Sequence, residues 1–227
     1  MSESDGFVDV GCNVGFFSLA SCILRPTSNV LAIDGNPECA AVTAANLVRN
    51  GFGDRARAIS TFVSDSQGEV EFHAVGTGAA GSAVDGLSPT AEWLGETMTV
   101  RTQTLDTIIE RTGISPDLIK VDVEGAEREV LSGATRTVEK HHPRFMVEMH
   151  SGGALTMEQN VTDVLAWCEN HGYDAWYLKD AERLTSPAPV AQRGRCHLLL
   201  QRTGESYPSI LEGIEQGAPI VSALKRL

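Results

Sequence analysis

The stretch VDVGCNVGFFSL at residues 8–19 carries the strongest fold signal in the chain. The stretch begins within GFVDV (Gly6–Val10), a pattern that is typical of a short buried strand. It ends within FFSLASCIL (Phe16–Leu24), a pattern that is typical of a helix. The glycines of the intervening GCNVG (11–15) let the backbone turn sharply and let a ligand approach without a Cβ in the way. Ligands of open α/β sheets bind at the carboxyl ends of the strands, so this turn is the candidate ligand loop.

Strand-like and helix-like segments alternate after this turn. NVLAID (Asn29–Asp34) is typical of a second strand, and Asn36 followed by Pro37 is typical of a helix start. That helix is predicted to end at Gly51, because glycine is common just past helix ends. Further core strands are predicted at residues 56–64, 117–123, 144–150, 174–178 and 195–201, and further helices at residues 105–113, at 125–134 and from the capping box of Thr156 and Gln159 onward. Such repeats predict parallel strands joined by right-handed crossovers, and hence an open α/β sheet.

The middle of the chain has a different pattern. EVEFHAV (69–75) and TMTVRTQ (Thr97–Gln103) alternate polar and apolar residues, which is typical of half-exposed strands. Residues 76–93 between them are rich in Gly, Ala and Ser, and we expect a mobile loop there. We therefore predict one domain over residues 1–227, with a small β-hairpin-like insertion at about 69–103 and a polar tail at about 203–227.

The composition is that of an ordinary globular domain with an acidic surface. The 227 residues are 42% apolar and 21% charged, and 30 acidic against 18 basic residues give a formal net charge of −12. Nucleic-acid binding depends on neutralising phosphates with Lys and Arg, so this balance predicts no nucleic-acid partner and favours a small or neutral substrate.

Two absences in the sequence bear on the compartment and on the class of site. No apolar run approaches the ~18–20 residues needed to cross a bilayer, and the first residues, MSESDGFVDVG, lack the basic and apolar regions of a secretory signal. The five cysteines form no C-x-x-C pair; they are Cys12, Cys22, Cys39, Cys168 and Cys196. We therefore expect a cytoplasmic protein without a membrane partner, a disulfide framework or a cysteine-built zinc site.

The glycine turn departs from the dinucleotide fingerprint. That fingerprint, G-x-G-x-x-G, requires glycine at its third and sixth positions, where this chain has Asn13 and Phe16. A nicotinamide-dependent oxidoreductase is therefore disfavoured and is kept as an alternative. A methionine-type cofactor carries no phosphate but needs a carboxylate for its ammonium group, and Asp9 is placed to orient that end.

Acidic residues also end the second and third predicted strands. Asp34 lies about 20 residues beyond the first glycine of the turn, the usual position of a carboxylate that binds ribose hydroxyls, and Gly35 follows it. Ser64 and Asp65 end the third strand, within expected reach of an adenine amino group. Three strand ends thus carry suitable groups in order, which favours a cofactor site over a purely structural turn.

Six stretches have a recognisable order and spacing. They are VDVGCNVGFFSL (8–19), AIDGNPECAAVTAANLVRNG (32–51), SDSQGEVEF (64–72), TLDTII (104–109), DLIKVDVEGAEREVLSGA (117–134) and PRFMVEMH (143–150). Together they resemble the FkbM-type methyltransferases. The resemblance implies a class I methyltransferase fold, which is a Rossmann-like sheet of about seven mostly parallel strands with helices on both faces. It also implies S-adenosyl-L-methionine as the methyl donor and, usually, O-methylation of a hydroxyl. By this resemblance, cofactor roles fall on Asp9, Gly11, Asn13, Gly15, Asp34 and Asp65.

The chain departs from the family pattern at three points. Cys12 replaces the usual alanine, and Asp34 replaces the commoner glutamate with a shorter acid. Family members usually carry a helical stretch before the first strand, whereas this strand is predicted within six residues of Met1. We therefore expect either a reduced cover over the substrate pocket or an incomplete sequence.

Ionisable residues gather at the ends of the fourth and fifth core strands. Lys120, Asp122 and Glu124 in LIKVDVEG share strand parity, as do Glu148 and His150 in FMVEMH. Methyl transfer to a hydroxyl requires alignment of the oxygen and removal of its proton. We predict Asp122 as the base, supported by Glu124, with His150 as the other candidate catalytic residue.

Other uses of these residues stay open. Asp122, Glu148 and His150 are also suited to hold a divalent metal that lowers the pKa of the hydroxyl, although metal dependence is not favoured. Lys120 and Glu124 are alternatively an ion pair that shapes the strand end. His73, on the insertion, is expected to be a surface histidine.

The resemblance and the strand-end residues together favour an S-adenosylmethionine-dependent methyltransferase. The expected acceptor is a hydroxyl on a small molecule, such as a sugar, a polyketide or another secondary metabolite. A binding protein that keeps the fold without catalysis is the second alternative. The intact turn and acidic strand ends argue against it.

Overall fold

The computed structural model describes residues 6–73 and 97–213, and all statements about structure refer to these residues. Their strands are β1 (Gly6–Val10), β2 (Asn29–Asp34), β3 (Ala56–Ser60), β4 (Phe62–Val63), β5 (Gly68–His73), β6 (Thr97–Gln103), β7 (Pro116–Val121), β8 (Arg144–His150), β9 (Tyr173–Tyr177), β10 (Glu182–Leu184) and β11 (Arg195–Arg202). Their helices are α1 (Phe16–Leu24), α2 (Pro37–Arg49), α3 (Leu105–Thr112), α4 (Glu127–Ser132), α5 (Thr135–His141) and α6 (Met157–His171). A short 3-10 helix, Ser209–Leu211, follows β11.

Eight of these strands form one sheet, in the order β10-β9-β11-β8-β7-β1-β2-β3. The strands from β8 to β3 pair in parallel, whereas β11 runs antiparallel to β8 and β9, and β10 runs antiparallel to β9. The predicted α/β sheet is confirmed, with eight strands instead of about seven. The additional strand, β10, has three residues, which is too short for an alternating pattern to show in the sequence.

Alternate residues of the central strands face opposite layers of helices. Phe7 and Val30 pack with Cys22 of α1 and Leu47 of α2 on one face. The residues of β1 and β2 that point the other way belong to a larger core shared with α3 to α6; they are Val8, Val10, Leu31 and Ile33. The predicted placement of helices on both faces of the sheet is therefore confirmed.

A second, three-stranded sheet, in the order β4-β6-β5, lies beside the main one. The single strand predicted at residues 56–64 is wrong, because β3 ends at Ser60 and the chain crosses to the small sheet at Thr61. The Thr61 amide still donates to the carbonyl of Asp34 in the main sheet, while its hydroxyl donates to the carbonyl of Arg101 in β6. β5 and β6 are antiparallel, as the hairpin-like pattern predicted.

Further boundaries differ from the predicted ones. The strand predicted at 117–123 ends at Val121, and beyond it Glu124 (φ 50°) and Gly125 (φ 99°) adopt left-handed backbone conformations that no strand allows. The helix predicted at 125–134 is divided into α4 and α5. The predicted mobile loop at 76–93 lies outside the described residues, as does the tail from residue 214 onward.

The predicted helix starts are confirmed by their capping hydrogen bonds. The side chain of Asn36 accepts from the amide of Glu38, and the side chain of Thr156 accepts from the amide of Gln159. All five cysteines are buried and unpaired, as expected. Across the described ranges, we find no helix with the length and apolar character that spanning a membrane requires.

Candidate active site

The turn after β1 has a backbone that only glycine tolerates at two positions. Gly11 has φ 79°, and a Cβ there would collide with the carbonyl oxygen of Asp122 at the end of β7. Gly15 has φ 86°, and its Cβ would lie 2.8 Å from Cγ2 of Thr43 on α2. Asn13 between them is also left-handed, with φ 49°. The turn is therefore held against β7 and α2 at close range, which is why these two positions need glycine.

Asp34 at the end of β2 is tied to this turn. One carboxylate oxygen accepts from the amide of Asn13 and the other from the amide of Asn36, both at 2.8 Å. Burial raises the pKa of Asp34 to about 6, although the two amide hydrogen bonds act in the opposite direction. The structure thus places Asp34 beside the glycine turn, where the sequence predicted it.

A cavity of about 90 Å³ opens between the turn, β2 and the end of β7. Its polar lining comes from Gly11, Asn13, Asp34, Gly35, Asn36, Thr61, Asp122 and Glu124. Its apolar lining comes from Val10, Ile33, Cys39, Phe62, Val63, Phe72 and Val123. The cavity therefore brings four of the predicted cofactor residues together with two of the predicted catalytic ones.

Asp9 and the pair Ser64–Asp65 lie elsewhere. Asp9 is fully buried behind the turn and accepts a hydrogen bond of 2.6 Å from the hydroxyl of Ser18 on α1. Burial raises the pKa of Asp9, although Lys120, with its Nζ 3.9 Å from Oδ1, opposes the effect. Ser64 and Asp65 follow β4 and are outside the cavity lining in the described part of the chain. Their predicted cofactor contacts stay predictions.

His150 at the end of β8 is the centre of a cluster of carboxylates. Its Nδ1 lies 2.9 Å from Oε1 of Glu127, while Nε2 faces Glu124, Glu148 and Asp122 at 3.5, 3.8 and 3.9 Å. Burial lowers the pKa of His150, but the hydrogen bond to Glu127 and the surrounding negative charges outweigh it and raise the pKa. The predicted gathering of ionisable groups at this edge is thus present in the structure.

Glu127 and Asn160 support His150, and neither was predicted from the sequence as a site residue. Glu127 is fully buried; its Oε1 also accepts from the amide of Gly125 and its Oε2 accepts from Nδ2 of Asn160, both at 2.9 Å. Asn160 donates as well to the backbone carbonyl of His150 at 3.0 Å. One signal for Asn160 was available: it is an amide on the face of α6 that carries Val161 and Val164.

Lys120 is paired with Asp122. Its Nζ donates to Oδ2 of Asp122 at 2.9 Å and lies 4.7 Å above the ring centre of Phe17. The strand parity that suggested Glu124 as an alternative partner does not extend this far, because β7 ends before residue 122. Burial, the main cause, and neighbouring carboxylates raise the pKa of Glu124, although His150 opposes them.

A family model for the methyltransferase FkbM domain matches residues 9–175, well over half of the chain. This chain belongs to the FkbM methyltransferase family. The predicted family is thereby confirmed. The matched range includes every predicted site residue from Asp9 to His150, together with Glu127 and Asn160.

Two curated relatives are methyltransferases, and the name of one of them includes hexuronic acid. The 2-O-methyltransferase NoeI of Sinorhizobium fredii is 31% identical over 160 residues, which are 65% of this chain and 64% of NoeI. The hexuronic acid methyltransferase AglP of Haloferax volcanii is 31% identical over 158 residues, which are 66% of this chain and 58% of AglP. The chain thus matches less than two thirds of the length of either relative.

The fold is also that of a solved FkbM protein. The methyltransferase FkbM from Methylobacillus flagellatus superposes with a TM-score of 0.54 at 18% identity, covering 88% of this chain and 44% of that one. At this identity the likeness concerns the fold alone.

One side of the carboxylate cluster lies beyond the FkbM match. Arg195 and His197 on β11 hold Glu148, with Nη1 of Arg195 3.0 Å from Oε1 and Nε2 of His197 3.1 Å from Oε2. The hydrogen bond with His197 and the neighbouring positive charges lower the pKa of Glu148 to about 2.

His73 is half-buried on β5, where Nδ1 contacts the hydroxyl of Thr97 at 3.3 Å.

Proposed function

We propose that this protein transfers a methyl group from S-adenosyl-L-methionine to a hydroxyl of a sugar or another small hydroxylated molecule. The observation that carries the proposal is the shared cavity, in which Asp34 and the turn lie opposite Asp122 and Glu124. Residues suited to binding a cofactor and residues suited to catalysis therefore line the same cavity. Membership of the FkbM family and the names of the two relatives, a 2-O-methyltransferase and a hexuronic acid methyltransferase, support the same reaction class.

The polar and apolar groups that line the cavity suit this cofactor. Asp34 offers two carboxylate oxygens, each with lone pairs left over for a ribose hydroxyl. Ile33, Phe62 and Val63 provide apolar walls that suit a flat heterocycle. When bound, such a cofactor supplies an electrophilic methyl group on a sulfonium centre. We propose that Asp9 acts on this site indirectly, by fixing Ser18 and thereby the start of α1.

The same turn is poorly suited to a dinucleotide. A pyrophosphate binds to backbone amides that point out of a glycine-rich turn. Here the amides of Gly11 and Cys12 donate to the carbonyl of Ile33, that of Asn13 to Asp34 and that of Gly15 to Cys12. Four of the five turn amides are thus used inside the protein, which argues against the nicotinamide-dependent alternative.

The acceptor hydroxyl is proposed to bind between Asp122 and Glu124. Both line the cavity, whereas His150 lies behind them. We assign proton removal to Glu124, because it lines the cavity and because burial and neighbouring carboxylates raise the pKa of its side chain, which makes it a stronger base. Glu124 has φ 50°, a conformation that is uncommon for a residue with a side chain and that is often kept at functional sites. This assignment exchanges the roles that the sequence suggested for Asp122 and Glu124.

Cofactor binding is tested by thermal unfolding of the full chain. S-adenosylhomocysteine at about 100 times its Kd is expected to stabilise the protein by roughly 2.7 kcal/mol, and NAD at the same concentration is expected to give no shift. A shift with NAD alone would contradict the proposal. Turnover is then measured as a mass increase of one methyl group in a panel of neutral sugars, uronic acids and polyketides. Binding without turnover on any hydroxylated acceptor would favour the catalytically silent alternative.

A further inference from the structure

Three side chains at the carboxyl ends of β7 and β8 face one small volume. One ligand-type atom each from Asp122, Glu148 and His150 lies within 4.8 Å of the other two. Nε2 of His150 is 3.9 Å from Oδ1 of Asp122 and 3.8 Å from Oε1 of Glu148. These distances are too long for hydrogen bonds. They are shorter than about 4.0–4.4 Å, the largest separation that two ligands of one cation can have when its bonds are about 2.0–2.2 Å long.

The orientation of His150 is an independent indication of a ligand. The side chain is 7% exposed, and its Nδ1 is bound to the buried carboxylate of Glu127. Metal-binding histidines almost always donate their second ring nitrogen to a carboxylate in this way, which fixes the tautomer and turns the free lone pair to the metal. Within the described residues, Nε2 has no hydrogen bond and points at three carboxylates.

The charges around His150 leave room for a cation. Four carboxylates surround the ring, those of Asp122, Glu124, Glu127 and Glu148. The positive charges in contact with them include Lys120, on Asp122, and Arg195, on Glu148. Arg195 is 66% exposed, so solvent screens much of its charge. A proton on His150 would offset one of the remaining negative charges, and a divalent ion would offset two.

We propose that Asp122, Glu148 and His150 bind one divalent cation, Mn²⁺ or Mg²⁺, at the edge of the cavity. Two carboxylates and one imidazole form an oxygen-rich ligand set, which suits these ions better than soft metals. In this proposal Oε2 of Glu148 stays on His197, and the ion takes the place of the exposed Arg195, whose Nη1 lies 3.0 Å from Oε1. Asp122 also lines the cavity, so the open coordination positions face the space where an acceptor oxygen would bind. This last role rests on the proposed function, whereas the binding of the ion does not.

The test is a titration of the full chain with Mn²⁺, without cofactor, in which the electron paramagnetic resonance signal of free Mn²⁺ reports binding. We expect one Mn²⁺ per chain, displaced by excess Mg²⁺. Asp122→Asn and Glu148→Gln are each expected to weaken binding at least tenfold. Glu127→Gln, a change in a positioning residue, is expected to weaken binding by roughly 10- to 100-fold. Glu110→Gln removes a 72% exposed carboxylate on α3 and is the matched control, with unchanged binding.

Folding of each variant is checked by circular dichroism, because Asp122→Asn leaves the buried Lys120 without its closest partner. Glu148→Gln avoids this problem and decides the matter if Asp122→Asn does not fold. Absence of Mn²⁺ binding by the wild type, or wild-type affinity in folded Glu148→Gln, would overturn the cation site. Binding of S-adenosylhomocysteine is measured in the same preparations. Absence of S-adenosylhomocysteine binding by the wild type would overturn the proposed function and leave the cation site standing. Binding of S-adenosylhomocysteine without binding of Mn²⁺ would remove the cation site alone.

Discussion

At the scale of single residues, Asp34 holds its position before any ligand binds. Each of its oxygens accepts one backbone amide, from Asn13 and from Asn36. A carboxylate oxygen has two lone pairs, so each oxygen retains one for a hydroxyl. The two amides therefore preorganise the carboxylate, which lowers the entropic cost of binding a diol.

We predict that Asp34→Asn weakens binding of S-adenosylhomocysteine by roughly 10- to 150-fold, corresponding to about 1.5–3 kcal/mol for hydrogen bonds to a charged group. The amide keeps the size of the side chain, so the fold should persist. Isothermal titration calorimetry measures the change. The control is Asp117→Asn, which removes an exposed acid paired with Arg25. Equal affinity in wild type and Asp34→Asn would remove Asp34 from the cofactor site.

The same carboxylate gives cofactor binding a dependence on pH. Because burial raises the pKa of Asp34 to about 6, the side chain is ionised above that pH and gains a proton as the pH falls through it. The charged form makes the stronger hydrogen bonds to hydroxyls. The Kd of the wild type is therefore expected to rise between pH 7 and pH 5, and that of Asp34→Asn to lack this component. A wild-type Kd that fell over this range would contradict the assignment.

At the scale of elements, β8, α4 and α6 are joined by one buried carboxylate. Glu127 of α4 binds His150 of β8 and Asn160 of α6. Glu127→Ala leaves these buried groups without a partner and is expected to lower the free energy of unfolding by about 3–5 kcal/mol. Glu129→Ala, two residues along α4 and paired with Arg128 near the surface, is expected to cost about 1 kcal/mol or less. Urea denaturation measures both, and similar losses in the two variants would refute the structural role of Glu127.

The strands of the main sheet were predictable where hydrophobic runs are bounded by turn residues. β1, β2 and β8 have the predicted bounds for this reason. The break at Thr61 was not predictable, because Ala56 to Val63 is continuously strand-like and only the pairing partner changes, from β2 to β6. Local pattern reports extended backbone but carries no information about which sheet a strand joins.

The site was predictable only as far as strand ends determine it. Gly11, Asn13 and Asp34 follow from the order of strands and turns, and the structure brings them to one cavity. Glu127 and Asn160 lie in helices, where strand parity gives no guidance, and their contacts with His150 depend on how α4 and α6 pack. Residues that orient a functional group from another element are fixed by tertiary structure.

At the scale of the whole molecule, negative charge dominates and six arginines of the described residues are paired with carboxylates. The net charge is −12. Ion pairs with carboxylates involve Arg25, Arg128, Arg136, Arg144, Arg183 and Arg195. A paired arginine contributes little to the long-range potential, since its partner cancels the charge within the screening length. The surface therefore repels polyanions on average. Electrostatic repulsion is weaker for small acceptors that are uncharged or that bind through a cation.

This charge distribution predicts that the protein does not bind nucleic acid. Non-specific binders neutralise phosphates and reach a Kd of roughly 10⁻⁴–10⁻⁶ M at physiological salt. Fluorescence anisotropy of a labelled single-stranded oligonucleotide and of a labelled transfer RNA should show no saturable binding, even at low ionic strength, where electrostatic attraction is strongest. A basic nucleic-acid-binding domain in the same buffer is the positive control. Saturable binding that weakens as salt is added would reveal a local cationic surface and would reopen the question of the acceptor.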